Sequence, residues 1–120
     1  MIKLTLTDEQ AKIVARACEF YARIRMGQFN EITWNILTLN RDVSCDDFCD
    51  RRYNADKLLL EARRFIYPEL QGAGHSYGIG KFKDADMSFD VYQVIRPFFG
   101  DDRTPFSYYE LPKCEKCDEE

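Results

Sequence analysis

The chain has 120 residues, 45% hydrophobic and 14% aromatic, with a net charge of -4 and an isoelectric point near 5.1. That length and composition predict one domain with a core of its own, and the acidic balance speaks against general nucleic-acid binding, which uses a basic surface. No apolar run reaches membrane-spanning length and residues 1–7 carry no signal-peptide apolar region, so a cytoplasmic location is expected.

Residues 2–6 alternate, with Ile2, Leu4 and Leu6 on one side and Lys3 and Thr5 on the other, which predicts a short half-buried strand. Thr7 to Gln10 then form a capping box, with Asp8 and Glu9 at the positive end of the helix dipole. Ile13, Ala17, Phe20 and Ile24 recur at helical spacing and are the expected core stripe of this first helix. Gly27 interrupts the pattern. A second helix is expected over 28–37, with Phe29, Thr33, Ile36 and Leu37 on one side and Trp34 off that stripe, as a core edge or an interface anchor. Residues 40–44 read as a polar connection. Ser44 caps a third helix with Asp46 and Asp47 in its first turn. Its stripe is Phe48, Ala55, Leu59, Ala62 and Ile66, broadened by Leu58 and Phe65, and Pro68 stops it.

A fourth helix begins at Asp84 or Asp86 and is apolar nearly all round, through Ala85, Phe89, Tyr92, Val94 and Ile95, until Pro97 and Gly100 end it. Such a helix is central or lies at a subunit interface. With Trp34, it leads us to expect a homo-oligomer. Residues 105–111 resemble a strand rich in aromatic β-formers. The expected fold is therefore mainly α within an α+β class: four helices, and a two-stranded antiparallel ribbon pairing the N- and C-terminal strands. Residues 1–112 form a single helical domain on this reading, and 113–120 a charged Cys-x-x-Cys tail.

The loop at 72–82 holds four of the six glycines and the only histidine. Its exposed backbone suits a tight corner or contact with an anion. It matches neither the dinucleotide fingerprint nor the P-loop, because the glycine spacing differs and Phe82 follows Gly80 and Lys81 where a P-loop has Ser or Thr. His75 is flanked by Ser76, but no Gly-x-Ser-x-Gly elbow is present. Arg23, Arg25 and Gln28 surround the break at Gly27, while Gln93 and Arg96 lie late in the fourth helix. Arginines beside such a loop make an anion site, and tyrosines can stack on a base. The candidate ligand-binding set is Arg23, Arg25, Gln28, His75, Ser76, Tyr77, Gly78, Tyr92, Gln93 and Arg96. No residue is assigned as catalytic.

The five cysteines are Cys18, Cys45, Cys49, Cys114 and Cys117. An odd number in a cytoplasmic chain does not suggest a disulfide framework. Cys18 falls on an apolar helix as a small core residue. Cys114 and Cys117 have the spacing of a zinc knuckle, and Cys45 and Cys49 are one helical turn apart, so the four are candidate zinc ligands.

Three blocks, Tyr21-Ala-Arg-Ile-Arg-Met-Gly-Gln-Phe-Asn-Glu-Ile32, Gly74-His-Ser-Tyr-Gly-Ile79 and Asp90-Val-Tyr-Gln-Val-Ile-Arg96, resemble a family of small proteins encoded by bacteriophages and prophages. The resemblance covers about the middle two-thirds of the chain. It implies a phage accessory protein and lends no catalytic residue. The function expected is a non-enzymatic binder that counters host defence by occupying a host protein or a nucleotide-like signal. Two alternatives remain open at the level of sequence. One is a small hydrolase or transferase acting on a phosphorylated small molecule, with His75 as acid or base beside Asp84 or Asp86. The other is a zinc-stabilised adaptor built on the four paired cysteines.

Overall fold

The computed structural model describes residues 1–39 and 43–117. Of the polar connection expected over 40–44, residues 40–42 lie outside the described residues, as do residues 118–120 of the charged tail. Four helices occur in the order α1 (Asp8–Arg25), α2 (Asn30–Leu39), α3 (Cys45–Ile66) and α4 (Lys83–Ile95), followed by a 3-10 helix at Arg96–Phe99. The chain divides into two compact units. A terminal unit comprises Met1–Ala22 and Ile79–Glu120, and a central unit comprises Arg23–Gly78.

The local start signals act as the sequence predicts. Thr7 N–H donates to Gln10 Oε1 at 3.0 Å and Gln10 N–H donates to Thr7 Oγ1 at 3.2 Å, closing the capping box of α1. Ser44 Oγ accepts from Asp47 N–H at 3.2 Å at the start of α3. α3 stops at Ile66, two residues before Pro68.

The expected α+β class is corrected to all-α among the described residues, because neither 2–6 nor 105–111 forms a strand. Ile2 and Leu4 are 93% and 71% exposed, so the alternation at 2–6 has no apolar surface to pack on. In the second segment the N–H groups of Tyr108, Tyr109 and Glu110 all donate to the carboxylate of Asp90, at 2.7, 2.8 and 2.6 Å. A ladder partner would need those donors. A two-stranded ribbon is marginal by itself, and three charge-assisted bonds to one buried carboxylate displace it.

The core stripe of α1 also differs from expectation. Ala15 and Ala22 are buried and Ala11, Val14 and Cys18 are half-buried; of the expected stripe, Phe20 and Ile24 are half-buried and Ile13 and Ala17 are exposed. Both sets repeat at helical spacing, on opposite faces. Within the terminal unit, Ser88 Oγ donates to the Cys18 carbonyl at 2.6 Å, and Tyr21 OH donates to Asp84 Oδ2 at 2.6 Å. These two bonds tie α1 to α4. α4 buries Ala85, Phe89 and Ile95, together with the polar Asp86, Asp90 and Gln93.

In the central unit α3 is apolar on two sides. Its half-buried and buried side runs through Phe48, Ala55, Leu59, Leu60 and Arg63. Trp34 of α2 meets Phe48 edge-on, with ring centroids 5.9 Å apart, and the Arg52 guanidinium lies 5.0 Å from the Trp34 ring. The other side of α3 carries Leu58, Ala62, Phe65 and Ile66, all exposed. Phe65 is 87% exposed.

Candidate functional site

Seven of the ten predicted ligand residues fall in the central unit, around a corner where α1 ends and the glycine loop returns. Gly27 makes that corner. Its φ is +92°, and a Cβ there would lie 2.6 Å from Leu70 Cδ1. Both the left-handed backbone and the close approach call for glycine.

The side chains predicted to bind a ligand are bonded to this corner itself. Arg23 Nη1 donates to Gln28 Oε1 at 3.0 Å. Arg25 Nη1 donates to Tyr67 OH at 2.8 Å, and Tyr67 OH donates back to the Arg25 carbonyl at 2.8 Å. The Tyr77 ring meets Tyr67 edge-on at 5.3 Å, and Tyr77 N–H donates to the Met26 carbonyl at 2.8 Å. His75 Nδ1 accepts from Gly72 N–H at 3.2 Å, while His75 N–H donates to the Gly72 carbonyl at 3.0 Å. Ser76 and Gly78 are exposed.

The arginine that meets the loop is Arg63, in the last turn of α3 and outside the predicted ligand set. It is 4% exposed. Its Nη1 donates to the carbonyls of Gly27, at 3.2 Å, and His75, at 2.6 Å. Its Nη2 donates to the carbonyls of Leu70, at 3.4 Å, and Gly72. Burial, and then the neighbouring charge of Arg64, hold the pKa of this guanidinium below the ordinary arginine value. The fork geometry of guanidinium, with five N–H donors in one plane, is what lets one side chain reach carbonyls from separate turns.

The polarity of the corner follows. Four carbonyls point inward onto a cation, and the N–H groups of Gly72, His75 and Tyr77 already have acceptors inside the unit. A phosphate cradle needs the reverse, several N–H groups directed at one empty point.

Tyr92, Gln93 and Arg96 belong to the terminal unit. Gln93 Oε1 accepts from Arg96 Nε at 3.2 Å and Nη2 at 2.7 Å, and Arg96 Nη1 pairs with Asp101 Oδ1 at 2.8 Å. Burial and a hydrogen bond with Glu19 push the Tyr92 phenol above its usual range. Arg96 is buried and built into the end of α4. Asp86, expected as a helix start or a partner for His75, instead accepts from Gly80 N–H at 3.1 Å. The sequence reading missed Arg63 and Asp90. Their signal was a charge set in line with apolar neighbours on a helix: Arg63 three and four residues after Leu60 and Leu59, and Asp90 beside Phe89 on the helix read as apolar all round.

Of the cysteines, Cys45 and Cys49 lie in the central unit and Cys114 and Cys117 in the terminal one, all four exposed. Cys18 is half-buried, and burial raises its thiol pKa. Among the described residues, no three of His, Cys, Asp or Glu gather in a way that could hold a metal ion. No helix among them is long and apolar enough to cross a membrane. Comparison with protein-family models, curated proteins and solved structures gives no match.

Proposed function

We propose that the protein is a non-enzymatic binder, encoded by a phage or prophage and acting in the cytoplasm of the bacterial host, which engages a host protein through the outward face of α3. The supporting observation is the exposure of Leu58 (67%), Phe65 (87%) and Ile66 (60%). With Ala62 they fall at i, i+4, i+7 and i+8, the spacing by which one helix docks on another. Covering a side chain such as Phe65 contributes about 1.5–3 kcal/mol, and Ala62 between the larger residues leaves room for a partner's side chain. The occupant we assign to this face is an amphipathic helix of the host protein. The phage setting rests on the three sequence blocks, and the anti-defence role on that setting.

The nucleotide version of the binder has less support, because Arg23 bonds Gln28, Arg25 bonds Tyr67, and the N–H groups of Gly72, His75 and Tyr77 have acceptors inside the unit. The enzymatic alternative needs an acid–base partner for His75, and among the described residues no carboxylate is hydrogen-bonded to it.

The test is quantitative affinity capture from a bacterial host lysate with the natural chain and with Phe65→Ser and Leu58→Ser. Both side chains point to solvent, so the variants keep the fold. We expect a host protein that is retained by the natural chain and reduced more than tenfold by either substitution. Capture unchanged by both substitutions overturns the reading. So does heat from a nucleotide in calorimetry that disappears in His75→Ala.

A further inference from the structure

Lys113, Cys114, Glu115, Lys116 and Cys117 include a Cys-x-x-Cys step. Two thiolates at this spacing grip one tetrahedral metal ion from the same side and leave two positions to be filled. The segment that carries them is anchored rather than loose. Tyr108, Tyr109 and Glu110 donate three successive N–H groups to Asp90, which is fully buried. The Lys83 ammonium lies 4.6 Å from the Tyr109 ring, and Lys116, between the two cysteines, pairs with Asp8 at 3.6 Å. Both cysteines are free and exposed, and no third ligand joins them among the described residues. This is half of a thiolate site, presented outward on a fixed frame.

We propose that Cys114 and Cys117 bind zinc together with the same pair of a second copy of this chain, so that one ion is held by four thiolates across a two-fold axis. Symmetry supplies the missing half without any new residue, as in an isologous dimer. The soft donor set selects zinc over magnesium or calcium. Coordination forms four Zn–S bonds and releases four thiol protons to solvent, with no change of oxidation state. The resulting centre carries a net charge of about -2 by this count of one divalent ion and four thiolates. Lys113, next to Cys114, partly offsets that charge. The assignment is independent of the α3 face, which uses the other unit.

The experiment takes the reduced, metal-stripped full chain and titrates it with zinc chloride. Mass is read by light scattering and bound zinc by elemental analysis. We expect the mass to double, half a zinc per chain to be retained, and a strong chelator to reverse both. Cobalt in place of zinc should give the absorption of a tetrahedral tetrathiolate. In the natural sequence zinc should shield Cys114 and Cys117, but not Cys45 or Cys49, from alkylation, a readout that needs no variant. Cys114→Ser or Cys117→Ser should abolish uptake, and the Cys45→Ser, Cys49→Ser double variant should keep it. The proposal is overturned if the chain takes up no zinc, if it binds one zinc as a monomer, or if uptake needs Cys45 and Cys49, which would place all four cysteines of one chain on the metal.

Discussion

The two units each bury a full charge, and they solve the resulting problem with opposite polarity. In the central unit Arg63 is surrounded by the carbonyls of Gly27, Leu70, Gly72 and His75. In the terminal unit Asp90 is surrounded by the N–H groups of Tyr108, Tyr109 and Glu110. In both, an irregular segment has backbone groups that no helix or sheet satisfies, and a neighbouring helix sends one ionised side chain to collect them. The conformation of the segment decides the sign of the charge it receives. The glycine-rich segment turns the Gly72 and His75 carbonyls inward onto a cation, while farther along Gly80 donates its N–H to the Asp86 carboxylate at 3.1 Å. The segment without glycine turns N–H groups inward and takes an anion. Three successive N–H groups converge on one carboxylate at 108–110, whereas the segment at 72–82 brings a single N–H, that of Gly80, to the carboxylate of Asp86.

If backbone solvation of a charge is what holds each segment, removing the charge should release that segment and leave the other unit's segment in place. The largest effect is expected for Arg63→Met, which keeps much of the volume but leaves four carbonyls without their donor. We expect a loss of about 3–4 kcal/mol in denaturant unfolding, with faster amide exchange confined to the loop at Tyr77 and the residues just before it. Arg63→Lys sharpens the point. Lysine keeps the charge but lacks the planar fork, so it should recover less than half of the loss. Full recovery by lysine would show that charge alone, and not geometry, organises the corner.

Asp90→Asn should cost less, about 2 kcal/mol, because one of its two oxygens is retained. Asp90 Oδ1 accepts from Tyr108, and Oδ2 from Tyr109 and Glu110. Placing an NH2 group at either position sets donor against donor. Hydrogen exchange should rise at Tyr108, Tyr109 and Glu110 and stay unchanged at Tyr77. Equal exchange in both segments would break the comparison, since each charge would then act on the whole chain.

The ends of the helices were legible in the sequence because their signals are local. The capping box at Thr7, the Ser44 cap and the stop before Pro68 each depend on a few adjacent residues. The ribbon was misread because alternation at 2–6 and β-formers at 105–111 are only half of a strand's requirement. The other half is an available partner for the N–H groups, and Asp90, some eighteen residues away in sequence from Tyr108, had claimed them. The stripe of α1 was misread for a different reason. Ile13 and Ala17 have the right spacing, but the part of α1 in the terminal unit, residues 8–22, covers the smaller face through Ala15, Cys18 and Ala22, and period alone does not say which of two apolar faces is covered. The candidate site was legible as a place and not as a chemistry. Gly27, Gln28, His75 and Tyr77 do meet at one corner, yet its central residue, Arg63, sits in the last turn of α3 next to the exposed Arg64, where any basic residue suits the helix dipole.

A charge held mainly by arginine side chains, with a single backbone N–H beside them, gives the contrast its smallest test. Asp101 is gripped by Arg103, with Nε to Oδ1 at 2.9 Å and Nη2 to Oδ2 at 2.5 Å, and by Arg96 Nη1 at 2.8 Å. Hydrogen bonding from the Arg103 side chain, reinforced by the Arg103 backbone N–H and by the charges of Arg103 and Arg96, holds its carboxyl well below the usual carboxylate range, against a smaller opposing effect of burial. A folded-state pKa below the unfolded one means that the unfolded chain takes up the proton first as acid is added. The stabilisation is therefore complete above the unfolded value of about 3.9 and is lost as the pH falls from there through the folded value. Asp101→Asn should be less stable than the natural chain at pH 6, and urea midpoints of the two should converge as the pH is lowered towards 2. Because the carboxylate is open to solvent, the gap at pH 6 should be smaller than that produced by either buried charge. A gap that persists unchanged in acid would mean that the geometry of the 101–103 turn, and not the ionised carboxylate, is what Asp101 contributes.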